Sequence, residues 1–196
     1  MIHTRCLALA AAVSGLAAGC ASWNYPSAES MEAAASARSP LIGMPAPAFT
    51  LADQDERPVS LSSLRGRWVV VYFYPRDDTP GCTCQASEFT RLLGRFHEMD
   101  AEVLGVSADP PARHRAFIKK FDLKVRLLSD LDHGIMARYG AWAESPLGPG
   151  HPGRVIRSTV VIDPDGVIRH HWPEVIPWGH AMRVRQKLED LHAKTP

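Results

Sequence analysis

Residues 68–74, Trp-Val-Val-Val-Tyr-Phe-Tyr, form an unbroken β-branched and aromatic run between Gly66 and Pro75. A strand wetted on one face alternates apolar with polar residues. This run does not, so it predicts a strand buried on both faces, at the centre of a parallel sheet. The period then changes: over 83–99, Phe89, Leu92, Leu93 and Phe96 recur at helical spacing. Residues 103–106 predict a second buried strand, 113–121 a second helix behind Pro110 and Pro111, 127–128 a short strand and 133–139 a short helix. The stretch 145–153, rich in Pro and Gly, predicts a loop. Strands at 159–162 and 167–172 flank Asp163, Pro164, Asp165 and Gly166, a hairpin turn signal. Residues 179–192 predict a closing helix. Upstream, the breakers Gly43, Pro45 and Pro47 precede a short strand at Phe49 and Leu51. Parallel βαβ units followed by a hairpin and a helix predict an α/β domain, a central mixed sheet with helices on both faces.

The first 20 residues follow another pattern. Arg5 supplies a short basic start, and residues 6–18 are apolar, alanine-rich and uncharged. That length suits the apolar part of a signal peptide and is too short to span a bilayer. Leu16, Ala17, Ala18 and Gly19 lead into Cys20, which resembles the lipobox of bacterial lipoproteins, with leucine one place early. One reading is cleavage before Cys20 and a lipid anchor on it. Another is plain secretion with cleavage after Ala21, and a third is an uncleaved anchor or a misplaced start. Each of these except the misplaced start predicts an exported protein of the cell envelope or periplasm. Residues 21–40, rich in Ala and Ser without a sustained apolar stripe, are expected to form a flexible tether, with the folded domain over 41–196.

Composition adds limits. With 196 residues, 45% of them hydrophobic, the chain can build one packed core. The 22 basic and 21 acidic residues are spread evenly, so no nucleic-acid footprint is expected. Arg183, Arg185 and Lys187 read as the solvated face of a helix. His97, His114, His133 and His180 read as surface or capping residues, and Trp142, Trp172 and Trp178 as packing. No P-loop, dinucleotide fingerprint or zinc spacing occurs, so no cofactor and no metal are expected.

Export changes what the thiols mean. Without Cys6 and with Cys20 acylated, the domain retains Cys82 and Cys84. Cysteines placed to stabilise a secreted fold close long loops; two separated by a single residue close almost none. That spacing points to chemistry. Cys82 also falls where a buried strand has ended and a helix begins. Ligands of open α/β sheets bind at the carboxyl ends of strands, and a helix start offers free N–H groups and positive potential. Both favour a thiolate. Thr79 could aim its hydroxyl at the sulfur or at a substrate bound against it, Pro75 would close the strand and shield the site, and Pro80 with Gly81 allows a sharp turn.

The spacing of Pro75, Thr79 and Cys82 is the P-x-x-x-T-x-x-C motif of peroxiredoxins, and residues 73–83 resemble the bacterioferritin comigratory protein (Q-type) subfamily. Residues 43–49, 59–66, 105–107, 127–130, 139–142, 157–159, 162–166 and 179–180 resemble it too, so the likeness spans about 41–192. The resemblance implies a thioredoxin-like fold and a thiol-dependent peroxidase, hence antioxidant defence in the envelope. It implies Cys82 as peroxidatic cysteine, Thr79 and Pro75 as its motif partners, and Arg157 as the active-site arginine. It implies hydrogen peroxide or an organic hydroperoxide as substrate, a thioredoxin-like protein or other thiol as reductant, and a monomer or weak dimer.

One feature departs from the subfamily. Many relatives carry a resolving cysteine five residues after the peroxidatic one, where this chain has Ser87; others carry it in the second helix, and 110–121 holds none. Cys84 remains as a possible resolving residue. Residues two apart on a helix point about 200° from each other, so a Cys82–Cys84 bond requires local unwinding. An external thiol is the other route. Two rivals stand beside this reading. A thiol–disulfide oxidoreductase would want C-x-x-C and a proline where Arg157 stands. A copper or zinc carrier would use Cys82 and Cys84 with a histidine such as His151, His170 or His171.

Overall fold

The computed structural model describes residues 28–148 and 151–194. The expected signal peptide, Cys20 and the start of the tether lie outside the described residues. The chain runs α1 (Ala28–Ala37), β1 (Thr50–Asp53), β2 (Pro58–Ser60), a 3-10 turn (Leu61–Leu64) and β3 (Trp68–Phe73). It continues α2 (Pro80–His97), β4 (Ala101–Ser107), α3 (Pro111–Phe121), β5 (Arg126–Ser129) and α4 (Gly134–Arg138). Then come β6 (Trp142–Ala143), β7 (Arg154–Val155), β8 (Ser158–Ile162), β9 (Ile168–Trp172) and α5 (His180–His192).

The main sheet has the order β2-β1-β5-β4-β3-β8-β9. β3, β4 and β5 are parallel, whereas β8 runs antiparallel to β3 and β9 to β8. This is the mixed sheet expected, in a thioredoxin-like arrangement. Successive residues of β3 alternate between its faces. Trp68, Val70 and Tyr72 join a cluster with Phe89, Phe96, Val184 and Leu188 of α2 and α5. Val69, Val71 and Phe73 join Leu61, Leu64, Met136 and Tyr139 on the other side. All six residues of β3 are buried, which is why its sequence shows no polar alternation. Burying a side chain of that size contributes about 1.5–3 kcal/mol.

α2 starts with Pro80 at its first position, where the missing N–H is not needed, and carries Arg95 and His97 in its last turn, complementing the negative end of the dipole. Gly105 of β4 leaves the space that the Tyr72 ring fills: a Cβ there would lie 2.6 Å from that ring and 2.8 Å from Leu127. The position admits no side chain without displacing Tyr72.

The structure departs from the sequence expectation in the stretch before the domain and at two histidines. The stretch read as a tether is helical over Ala28–Ala37 and lies against β9. Glu32 of α1 pairs with Arg183 of α5 through both carboxylate oxygens, at 2.9 and 3.0 Å. The Oγ of Ser39 bonds His171 Nδ1 at 2.6 Å. Alanine-rich sequence has the highest helix propensity, and the polar partners that hold it are far away in the chain. Likewise His114 and His180 are not surface residues but fully buried. Burial, and then nearby Arg183, push the His180 pKa well below its ordinary value. Its ring bonds Thr159 Oγ1 at 2.9 Å and meets Phe89 and Trp172 edge-on, tying α5 to the sheet.

Candidate active site

β3 ends at Phe73, the bend 75–79 follows, and Cys82 lies in the first turn of α2, buried to 2% exposure. Arg157, immediately before β8, reaches it because β8 is hydrogen-bonded alongside β3. Arg157 Nη2 donates to Cys82 Sγ at 3.2 Å, and Nη1 donates to Gln85 Oε1 at 2.6 Å. Gln85 stands one turn beyond Cys82 and is fully buried. The guanidinium fork is therefore held at both nitrogens, with positive charge set against the sulfur. Gly81 makes room for this: a Cβ there would lie 3.2 Å from Pro177 and 3.5 Å from Arg157 Nη2. Pro177 belongs to a segment tied to the site by the Val175 N–H, which donates to the Arg157 carbonyl at 2.9 Å.

Thr79 occupies the position just before α2 but makes no side-chain capping bond. Its hydroxyl donates to the Arg76 carbonyl at 3.1 Å. That fixes the proton away from the sulfur and leaves the oxygen lone pairs for an incoming O–H. Pro75 is exposed and follows the end of β3. Cys82 belongs to the buried cluster of Tyr72, Tyr74, Phe89 and Val175. Two further donors, Tyr72 Oη and Gln85 Nε2, are buried without a protein partner. Burial first, then the charges of Asp77 and Cys82, keep the Tyr72 phenol protonated far above its ordinary range. Neither residue was singled out from the sequence. Gln85 could have been, because three residues after Cys82 is the same helix face.

Cys82 and Cys84, the cysteines among the described residues, both carry free thiols. Cys84 is half-buried and its Sγ faces Glu88 Oε1 at 3.7 Å. The same carboxylate oxygen accepts the Gly179 N–H at 2.9 Å. Burial and then the Glu88 charge push the Cys84 thiol up from its ordinary pKa, which disfavours the nucleophilic form.

A buried cysteine at a helix start, with an arginine fork on its sulfur, can attack an O–O bond and stabilise the leaving oxygen. On this fold, that arrangement defines a thiol peroxidase. Residues 42–171 match the AhpC/TSA family, and the chain belongs to that family as a peroxiredoxin of the bacterioferritin comigratory protein (PrxQ) type. A putative peroxiredoxin bcp of Coxiella burnetii is 38% identical over 148 residues, covering 75% of this chain and 97% of the relative. The putative peroxiredoxin Rv2521 of Mycobacterium tuberculosis is 42% identical over 146 residues, covering 74% and 93%. The Xanthomonas campestris bacterioferritin comigratory protein, studied for alkyl peroxide reduction, superposes with a TM-score of 0.70 at 30% identity, covering 74% of this chain and 92% of that one.

Proposed function

We propose that Cys82 performs the peroxide chemistry with Arg157 and Thr79 as its partners, and that a thiol from outside the chain completes the cycle. The Cys82 thiolate attacks the distal oxygen of ROOH; the S–O bond forms, the O–O bond breaks, and RO⁻ takes a proton to leave as ROH. Cys82 becomes a sulfenic acid. An incoming thiol then displaces water to give a mixed disulfide, which a second thiol reduces. The observation carrying the first half is the 3.2 Å contact between Arg157 and the sulfur. Support for the second half is the setting of Cys84: two places along an intact helix, bound toward Glu88, with its thiol pushed up. Intact-mass analysis after one equivalent of hydrogen peroxide tests this. Wild type and Cys84→Ser are both expected to gain one oxygen. A loss of two hydrogens in wild type alone would assign resolution to Cys84.

The same proposal places the protein in the cell envelope, held to a membrane through a lipid on Cys20. Its support is the apolar leader and the small residues before that cysteine. A bacterial periplasm is kept oxidising, so turnover there needs a delivered reductant, either a thioredoxin-like protein or a small thiol. Labelling cells with a fatty-acid analogue should mark the wild-type protein and not Cys20→Ala. Equal labelling of both would remove the anchor.

A further inference from the structure

The bend leading into α2 is tied down by a buried polar cluster that the peroxide chemistry does not use. Its centre is Asp77, 1% exposed. The Asp77 backbone N–H donates to Asp109 Oδ2 at 2.7 Å, and that oxygen also accepts Ser107 Oγ at 3.0 Å. Tyr74 Oη donates to Asp77 Oδ1 at 2.7 Å, and His114 Nδ1 meets Asp77 Oδ2 at 2.7 Å. His114 and Asp77 side chains are both fully buried. A carboxylate offers no donor, so the ring must present Nδ1–H to it. Burial, then the Asp77 charge, hold the Tyr74 phenol well above its ordinary pKa, so it too serves as a donor. Arg113 adds a bond to the Asp77 carbonyl at 3.4 Å while pairing with Asp109 at 3.0 Å.

Between Asp77 and Cys82 the bend meets α3 once more, where Lys120 Nζ donates to both carboxylate oxygens of Asp78 at 2.9 and 2.7 Å. Asp78 sits in the left-handed region at φ 59°, and Thr79 does not cap the helix with its side chain. The first turn of α2 thus has no side-chain cap of its own, and the clamp at Asp77 sets where it begins. That turn must serve two opposed needs. Reaction with peroxide requires it folded, with Cys82 against Arg157. Reaction of the sulfenic acid with an outside thiol requires it open, because Cys82 is 2% exposed.

We propose that His114 and Asp77 are positioning residues that set the balance between these two states: the buried pair holds the bend against α3 and so favours the closed, peroxide-reactive turn. The proposal rests on Cys82 being the oxidised thiol. Weakening the clamp shifts population toward the open turn, so the two half-reactions change in opposite senses. A loss of fold would slow both.

The test is single-turnover kinetics on the full chain. Oxidation of the reduced protein by hydrogen peroxide and reduction of the preformed sulfenic acid by dithiothreitol are followed separately. His114→Leu is expected to slow oxidation by about tenfold and to leave reduction equal or faster. His114→Asn, whose amide N–H can take the place of Nδ1–H, is expected to recover most of the oxidation rate. Should His114→Leu fail to fold, Tyr74→Phe removes the other bond to Asp77 and should give the same split at smaller amplitude. The proposal is overturned if oxidation by His114→Leu stays within about twofold of wild type, if both steps slow together, or if Asn is as slow as Leu. If instead wild-type Cys82 is not oxidised by peroxide at all, the underlying assignment fails, a distinguishable result.

Discussion

Cys82→Ser should lose peroxide consumption by a factor on the order of 10⁴ or more, with the fold intact, while Cys84→Ser keeps the oxidation step within about twofold. The first half follows from chemistry and packing together. A serine hydroxyl is not ionised near neutrality and is a poor nucleophile toward an O–O bond. Its size is close to that of the thiol, so the cluster of Tyr72, Tyr74, Phe89 and Val175 has no large cavity to absorb. The second half follows from where Cys84 stands. Its sulfur faces the Glu88 carboxylate, which disfavours the thiolate, and the Arg157 fork is engaged with Cys82 and Gln85. Steady-state turnover with dithiothreitol checks both variants against circular dichroism of each. Retained activity in Cys82→Ser would move the peroxide chemistry to Cys84.

Much of this was legible because burial leaves its mark on local sequence. β3 was visible because both of its faces are covered, and α2 because its apolar residues keep helical spacing on one side. The β8–β9 hairpin was visible through its turn, where Asp163 accepts the Gly166 N–H and its carboxylate accepts the Val167 N–H. β2, β6 and β7 were not: two or three residues carry no period, and their existence depends on the strand opposite. The pairing of β1 with β5, Ala52 opposite Ser129, is likewise tertiary. At the site, the motif named Pro75, Thr79 and Cys82, the family resemblance implied Arg157, and the structure brings Arg157 to the sulfur. The sequence could not say that the Thr79 proton is committed to Arg76, nor that Gln85 secures the fork. His114 and His180 failed for a simpler reason. A lone histidine looks like surface, and its burial is decided by Asp77 or Thr159, which sequence spacing does not associate with it.

Arg157→Met is the variant in which electrostatics is separated from nucleophilicity. The thiol remains, the apolar stem remains to pack, and the charge is gone. Two unit charges about 4 Å apart interact by about 4 kcal/mol at the effective dielectric of a protein surface. Arg157 is partly exposed, so solvent reduces that figure. Losing one fixed donor to a developing oxyanion costs about 10²–10³ in rate. The second-order rate constant for oxidation by hydrogen peroxide is therefore expected to fall by about 10²–10³. Arg157→Lys should recover only part of it, because an ammonium supplies charge without the planar fork that meets Cys82 Sγ and Gln85 Oε1 together. Gln85→Ala leaves the charge and frees the fork to swing, so its loss should be smaller than that of Arg157→Met. Stopped-flow oxidation of the reduced variants measures all three. If Arg157→Met reacts within about fivefold of wild type, the arginine contact is packing, and the stabilisation of the breaking O–O bond must come from the N–H groups at the start of α2 instead.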